Sequence, residues 1–464
     1  MNRIPLVALF PLLLMAGCGG TPKIDRELKA LKEMGSPLTL EEMGIPKGRV
    51  IHPDREKLIQ AAGELKSIRK DTEALYKLSN NLPTGSGWKA LVYQRQDVDW
   101  KVMKETAERL RPCLNKFPGP LPAGEHYELP DYSQGPLTKL DLLSPALDYA
   151  KTRARLAYVE IHEGKTGEAA RGVATARTTV RSMIQGDLLI ERLVLVSVDG
   201  LLAEVTREIL EHPKCKLEDV SVLETAWAVS TTPEDIRRTW RMERVCFWPW
   251  FRKIYQGDKH LIDNFYTSMG GGSALNGVLW KWCGWLFSDS DGEAYLRSFR
   301  RLEVSLGEWC RTGDHRTVRQ TTRSIEAEIN GWDSWGRCGH LLTSLAMPAV
   351  LNAQDTFVLG MTQEQLVRTA VALKHYQLKN RELPADLEPL IPGYLSLVPV
   401  DWMDGYPLRY HKTASGGFLL YSVGLDGVDD GGDGHSVAVV AGKPDYRPKS
   451  VKDILWLRTS EATR

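Results

Sequence analysis

The chain has 464 residues, of which 42% are hydrophobic and 26% are charged, and its 60 basic and 59 acidic residues leave a formal net charge of +1. This length exceeds what one hydrophobic core usually serves, so the composition predicts a globular protein of two or three domains. Because the charges balance, bulk electrostatics gives no reason to expect binding to nucleic acid or to anionic lipid.

The N-terminus has the pattern of an export signal. The basic start Met1-Asn2-Arg3 precedes an apolar run that is too short to cross a bilayer as a helix. The sequence Met15-Ala16-Gly17-Cys18 resembles a bacterial lipobox. The resemblance implies that residues 1–17 are a signal peptide and that Cys18 is lipidated, which would anchor the chain in the cell envelope on the periplasmic side. Gly19 stands where an Asp would signal inner-membrane retention, which favours the outer membrane.

The chain between its two ends is predicted to be mostly α. Residues 18–136 are expected to form an N-terminal helical region, in which the stretch from Pro112 to Pro136 holds six prolines and three glycines and is typical of a loop. Residues 137–355 are expected to form a helical array that is rich in tryptophan from residue 227 onwards. These two regions are therefore predicted to be separate helical groups.

A helical hairpin is the clearest local pattern of the array. Apolar residues recur at three- and four-residue spacing on both sides of His162-Glu163-Gly164-Lys165-Thr166-Gly167, which predicts two helices joined by a short glycine turn. Such a pair is similar to one tetratricopeptide-like unit. No repeat of fixed period follows it in the sequence, so a regular array stays an open alternative.

Residues 227–335 contain ten of the fourteen tryptophans. The helical spacing of Trp240, Val245 and Trp248 favours packing in a core, while a sugar-stacking platform and a membrane-facing belt are the alternatives. The segment 270–288 is the best candidate for contact with a lipid surface, although Lys281 and its short apolar length argue against a membrane span.

Asp289, Asp291 and Glu293 form a compact acidic group beside this segment. With the tryptophans they could serve an envelope glycan hydrolase, which needs two carboxylates on either side of the scissile bond. At a helix start, however, the same residues would cap the helix and interact with its dipole, and this interpretation is favoured. No HExxH or GxSxG motif occurs, so a non-catalytic protein is predicted.

Six cysteines remain besides Cys18. Their even number permits disulfides in an exported protein, and buried free thiols are the open alternative. Their wide spacing indicates no particular pairing, and the absence of a CxxC pair argues against a zinc ribbon or a thioredoxin-type site. These cysteines are Cys113, Cys215, Cys246, Cys283, Cys310 and Cys338.

Residues 361–458 are predicted to form a small α+β domain. A capping box at Thr362-Gln363-Glu364-Gln365 predicts the start of a helix that presents Leu366, Ala370, Leu373 and Tyr376 on one face. This helix is expected to cover an antiparallel sheet with a hairpin turn at Gly416-Gly417. The strands are expected near 406–412 and 417–423, with a third candidate near 436–441.

The loop after these strands carries four carboxylates among five glycines, between Ser422 and Gly434. Glycine allows tight turns at positive φ, and Ca²⁺ takes six to eight oxygen ligands from carboxylates and carbonyls. The loop therefore predicts a calcium site, and a solvated acidic turn is the alternative. The four carboxylates are Asp426, Asp429, Asp430 and Asp433.

The segments Leu383–Leu390, Pro399–Tyr410 and Asp453-Ile454, together with this loop, resemble the C-terminal domain of the type II secretion major pseudopilin. In that family a long helix precedes a small antiparallel sheet, and a calcium ion pins the loop after the last strands. The resemblance implies that the Val423 carbonyl and the Asp426 carboxylate bind structural Ca²⁺. It leaves the remaining ligands open among Asp429, Asp430, Asp433 and Asp453.

Some 360 residues precede the matching helix, so the chain is not expected to polymerise as a pilus subunit. The lipobox, the helices and the pseudopilin-like end together resemble uncharacterised Planctomycetes-type bacterial lipoproteins. The predicted function is that of a non-catalytic, envelope-anchored scaffold or protein-interaction module, with secretion or pilus components as candidate partners. A glycan-acting hydrolase is the alternative, and no nucleic-acid partner is expected.

Overall fold

The computed structural model describes residues 22–68, 91–255, 258, 274–333, 336, 340–413, 416–432, 439–440, 443–444 and 453–456. The side chains of residues 274–288 are not described, and neither are some others inside helices. The lipidation site predicted at Cys18, the metal ligand predicted at Asp433 and the lipid-contacting side chains predicted within 270–288 thus lie outside the described residues.

The described chain is mostly helical, as the sequence predicts. None of its described helices combines the length and the apolar character that crossing a membrane requires. The helices are α1 (Pro22–Glu33), α2 (Arg55–Ile68), α3 (Trp100–Leu114), α4 (Leu143–His162), α5 (Thr166–Met183), α6 (Leu189–Glu211), α7 (Leu217–Trp227), α8 (Pro233–Tyr255), α9 (Ala274–Thr312), α10 (Arg316–Asn330) and α11 (Leu341–Asn380).

Short 3₁₀ turns and strands complete the described fold. The 3₁₀ turns are Val92–Gln94, Tyr132–Leu137 and Glu388–Leu390. The strands are β1 (Val50–Ile51), β2 (Glu128–Leu129), β3 (Arg409–Lys412), β4 (Phe418–Ser422), β5 (Val439–Val440), β6 (Lys443–Pro444) and β7 (Ile454–Leu455).

Helices α4 and α5 form the predicted hairpin, joined by Glu163-Gly164-Lys165. Fully buried alanines on both helices, among them Ala154 and Ala169, permit close packing of the two backbones. With α6 and α7 they enclose the first hydrophobic core, to which α2 and α3 also contribute. The hairpin prediction is confirmed, whereas a regular repeat is not.

The second core lies between α8, α9, α10 and α11 and contains most of the described tryptophans. Trp240, Trp248, Trp250 and Trp309 are each at most 7% exposed, and Trp227 is buried in the first core. Core packing is therefore confirmed for these five side chains. The side chains of Trp280, Trp282, Trp285 and Trp335 lie outside the described residues.

Helix α1 packs along α9 and is held there by charge and by shape. Glu27 accepts a hydrogen bond from Nε of Arg300 at 2.6 Å. Gly292 leaves the room that Ile24 and Trp248 occupy, since a Cβ at this position would lie 2.8 Å from Cδ1 of Ile24. The N-terminal helix is thus an integral layer of the second core.

Two predicted helix starts are wrong, because α9 and α11 continue through them. Asp289, Asp291 and Glu293 lie inside α9 and do not cap it, and Thr362 lies inside α11. Thr362 is fully buried, and Glu364 is turned towards α5 and away from its own helix. A capping-box pattern depends only on local spacing, so it cannot tell a helix start from a helix interior that uses the same residues for tertiary contacts.

The C-terminal sheet has the antiparallel order β3-β4-β7. The hairpin around Gly416-Gly417 is confirmed, with Lys412 opposite Phe418, and β7 joins β4 through the pairing of Tyr421 with Leu455. The strand expected near 436–441 is present as β5, but β5 pairs with β6 in a separate ladder and does not extend the sheet β3-β4-β7. Strands β1 and β2 form another two-stranded ladder beside α2.

The C-terminal segment shares both hydrophobic cores with the helical body. Leu390, Leu420 and Trp456 belong to the first core, whereas Met403 and Leu425 belong to the second. The face of α11 predicted to cover the sheet is buried. Leu366, Ala370 and Leu373 on this face are each at most 1% exposed. This face is therefore not free to pack against another subunit.

A buried arginine joins three of the helices. Arg177 on α5 is 1% exposed, and its Nε donates a 2.9 Å hydrogen bond to Asp199 on α6. Its Nη1 donates to the carbonyl oxygens of Ala226 and Val229 at the end of α7, at 2.6 and 2.8 Å. The guanidinium also lies 4.3 Å from the ring centroid of Trp227. One side chain thus caps a helix and fixes two others.

Glu364 extends this network to α11. It accepts hydrogen bonds from the backbone N–H and the hydroxyl of Thr231, at 2.6 and 3.0 Å, and from Arg181 at 3.3 Å. Burial raises the pKa of Glu364. Burial acts in the same direction on Asp199, but the charges of Arg177 and Arg181 outweigh it and lower the pKa of that carboxyl. The network therefore ties the C-terminal helix to the hairpin.

Replacing Arg177 with methionine is expected to destabilise the protein by about 3 kcal/mol, because it leaves the buried Asp199 with Arg181 alone and removes the donor to two carbonyl oxygens. The exposed Arg171 on the same helix is the matched control, and R171M is expected to stay within about 0.5 kcal/mol of the unchanged protein. Urea unfolding followed by tryptophan fluorescence measures both. Equal midpoints for the two variants would contradict the prediction.

Candidate functional site

The predicted calcium loop begins where β4 ends, and its start is held from inside the protein. Ser422 and Val423 are buried at 1% exposure or less, and both bond to Asp401. Further along the loop, Gly432 has a φ of 82°, and a Cβ there would lie 2.6 Å from Cδ2 of Leu419. The positive φ and the contact with Leu419 both favour glycine at this turn, which explains why Gly432 stands there.

Asp401 is the fixed point of the site. Its fully buried carboxylate accepts hydrogen bonds from the hydroxyl of Ser422 at 2.8 Å and from the N–H groups of Met403 and Val423, both at 3.0 Å. Arg409 donates to its second oxygen at 3.1 Å. Burial raises the pKa of Asp401 despite these donors. Sequence reasoning assigned Asp401 no role, although it lies in the segment Pro399–Tyr410 that carried the resemblance.

Asp429 is held by the same arginine. Its Oδ1 accepts hydrogen bonds from the hydroxyl of Tyr421 and from the N–H of Gly431, both at 3.0 Å, while Nε of Arg409 lies 3.6 Å from Oδ2. Burial acts against ionisation, but these donors outweigh it and the pKa of Asp429 is lowered. Asp429 is therefore an ionised carboxylate of fixed orientation.

Asp453 closes the site from the start of β7. Its side chain is 3% exposed, and Oδ2 accepts a 2.8 Å hydrogen bond from the N–H of Gly432. Its Oδ1 is buried and has no hydrogen-bond partner among the described residues. Burial raises the pKa of Asp453, and the nearby charges of Asp429 and Asp430 add to the rise. A buried oxygen beside two further carboxylates fits a hard cation.

In the structure Asp429, Asp430 and Asp453 are close enough to interact electrostatically. Asp426 is not part of this group. Asp426 is exposed, and its Oδ1 accepts a 3.1 Å hydrogen bond from Val428 in a local turn. Within the described ranges, no three His, Cys, Asp or Glu side chains form a ready metal-binding group. A cation at this site would therefore need the loop to close further around Asp453.

The second predicted acidic group serves the packing of helices. Asp291 is 2% exposed and accepts a 3.0 Å hydrogen bond from the N–H of Thr343, so it caps the first turn of α11 from a neighbouring helix. Glu293 lies 3.5 Å from Lys23 and 3.9 Å from Arg297, and Asp289 is exposed. The three carboxylates thus have different surroundings, and α9 does not direct them to one point.

Four of the cysteines are described, and they are free thiols. Cys113, Cys215 and Cys246 are buried and Cys310 is half-buried. Burial raises the pKa of Cys215 to about 11, so this thiol stays protonated and packs as a small apolar group. Cys283 and Cys338 have no described side chain.

Comparisons with known proteins identify no relative of this chain. The chain matches no family model, no curated protein and no solved structure at a significant level.

The raised pKa of Asp453 predicts a pH dependence in calcium-free buffer. The folded chain keeps this proton to higher pH than the unfolded chain, whose ordinary value is 3.8, so stability falls as pH rises through the raised pKa. The variant D453N lacks this loss, and its unfolding temperature is expected to rise relative to the unchanged protein as the pH increases from 3.8 through the raised pKa. Thermal unfolding in EDTA across this range measures the difference.

The matched control for this variant is D386N. Asp386 is exposed and accepts a 3.0 Å hydrogen bond from Glu388 within its own turn, which an Asn side chain can keep. Its profile is expected to follow that of the unchanged protein. A difference between D453N and the unchanged protein that does not vary with pH would contradict the assignment.

Proposed function

We propose that this protein is a non-catalytic lipoprotein of the bacterial cell envelope, anchored through Cys18, whose C-terminal loop binds structural Ca²⁺. The buried Oδ1 of Asp453, which has no hydrogen-bond partner among the described residues, is the observation that carries the calcium assignment. Asp429 is the second ligand that the geometry favours, since its carboxylate is ionised and oriented. The Val423 carbonyl, Asp426, Asp430 and Asp433 would complete the oxygen set that the pseudopilin resemblance implies.

A structural role for the ion follows from where the loop is attached. Val423 and Leu425 belong to the second core, and Leu420 and Trp456 belong to the first. A cation that joins the loop to β7 would therefore fix residues that pack in both cores. Such an ion contributes to stability when it binds the folded chain alone.

The scaffold role rests on the helical body. A cleft of about 560 Å³ lies between the turn after α1 and the first half of α8. Both charge signs line it, and this suits a polar peptide segment of a partner protein better than a strongly charged polymer. The charged lining residues are Lys32, Glu42, Glu234, Asp235, Arg238 and Arg241. Secretion or pilus components remain the candidate partners by resemblance.

Millimolar Ca²⁺ is expected to raise the thermal unfolding temperature of the EDTA-treated protein. At a hundred times its dissociation constant, a ligand that binds only the folded state adds about 2.7 kcal/mol. The variants D453N and D426A are expected to lose this response, whereas D386N keeps it. An unchanged unfolding temperature, or a full response in D453N, would contradict a calcium site at this loop.

Lipidation is tested separately from calcium binding. Expression in a bacterial host with labelled palmitate is expected to label the unchanged protein and place it in the membrane fraction, and the variant C18S is expected to lose both properties. The variant C310S, which removes a half-buried thiol of the helical body, is the control and is expected to keep the label. Labelling of C18S would contradict the anchor assignment.

A further inference from the structure

A second cavity lies at the junction of the helical groups, away from the C-terminal loop. It has a volume of about 270 Å³ and is walled by the 3₁₀ turn Tyr132–Leu137 with the residues after it, the start of α6, the middle of α8 and the first half of α11. Most of its lining is apolar, with Leu188, Leu189, Leu193, Phe247 and Ala353 among the residues that line it. Ile190 is 48% exposed, so the cavity can be reached from the surface beside it.

Glu243 is the one ionisable residue in this lining. Its side chain is 9% exposed, and Oε2 accepts a 3.1 Å hydrogen bond from the N–H of Leu189 at the start of α6. Among the described residues this is its only hydrogen bond, which leaves Oε1 for another donor. The bond that caps α6 thus uses only one of the hydrogen bonds that a carboxylate can accept.

Among the described groups that interact with Glu243, none supplies a positive charge. Glu191 faces it from α6, Cys246 from α8 and Tyr295 from α9. Burial raises the pKa of Glu243 to about 7, and the charge of Glu191 adds to the rise. A buried carboxyl without a cation is costly, and a ligand that brings one would offset this cost.

We infer that this cavity binds a small apolar molecule carrying a protonated amine, with the ammonium group on Glu243 and the apolar body against the leucines and Phe247. A dry cavity of about 150 Å³ already accommodates benzene, so a volume of about 270 Å³ suits a ligand of one ring and a short amine arm.

Benzylamine and benzyl alcohol are matched probes, since they share the ring and differ in the charged group. Calorimetric titration of the full-length protein at pH 8 is expected to show benzylamine binding, and E243Q is expected to weaken it by about tenfold or more. Glutamine keeps an acceptor for the N–H of Leu189, so the cap of α6 can persist. Binding of benzyl alcohol is expected to change less than about twofold in E243Q.

Two further variants keep the test decisive. A353L fills the cavity from the opposite wall on α11 and is expected to weaken both probes, even if E243Q does not fold. E105Q removes an exposed carboxylate on α3 and is expected to leave both affinities unchanged. Benzylamine binding should also weaken below about pH 7, as Glu243 takes up its proton.

Three results would overturn the inference. The first is the absence of benzylamine binding to the unchanged protein. The second is equal benzylamine affinity in E243Q and the unchanged protein, which would reduce the cavity to a general apolar pocket. The third is undiminished affinity in A353L, which would place the amine somewhere else on the molecule.

Discussion

The guanidinium of Arg177 is the constraint on which the helical body depends. It lies where α5, α6 and the end of α7 meet, and it donates to the Asp199 carboxylate and to the carbonyl oxygens of Ala226 and Val229. Through Arg181 and Glu364 the same network reaches α11. Because α11 is one uninterrupted helix, fixing its middle also fixes the position of the sheet that follows its end.

The C-terminal segment repeats this principle on a smaller scale. Asp401 joins the turn before β3 to the end of β4, and Arg409 connects it to Asp429. Asp453 differs from these two carboxylates, because one of its oxygens has a donor and the other has none among the described residues. The described part of the site is therefore held mainly from the side of the helical body.

Local patterns in the sequence predicted what local interactions decide. The hairpin at Gly164, the burial of Trp240 and Trp248 and the turn at Gly416-Gly417 follow from spacing and backbone freedom alone. The capping box at Thr362 and the expected pairing of the strand near 436–441 in the main sheet failed because tertiary contacts decide both. The roles of Asp291, Asp401 and Glu243 could not be read from the sequence either, since each has a partner at least 21 residues away along the chain.

The packing of α1 on α9 has a consequence for how an anchored molecule would meet its surroundings. Three residues lie between Cys18 and Pro22, and an extended chain over these four Cα–Cα steps reaches about 14 Å at most. The first turn of α1 would thus lie close to the lipid headgroups, and the nearby charged cleft with it. A partner would then be met by diffusion within the plane of the membrane, where the search has two dimensions.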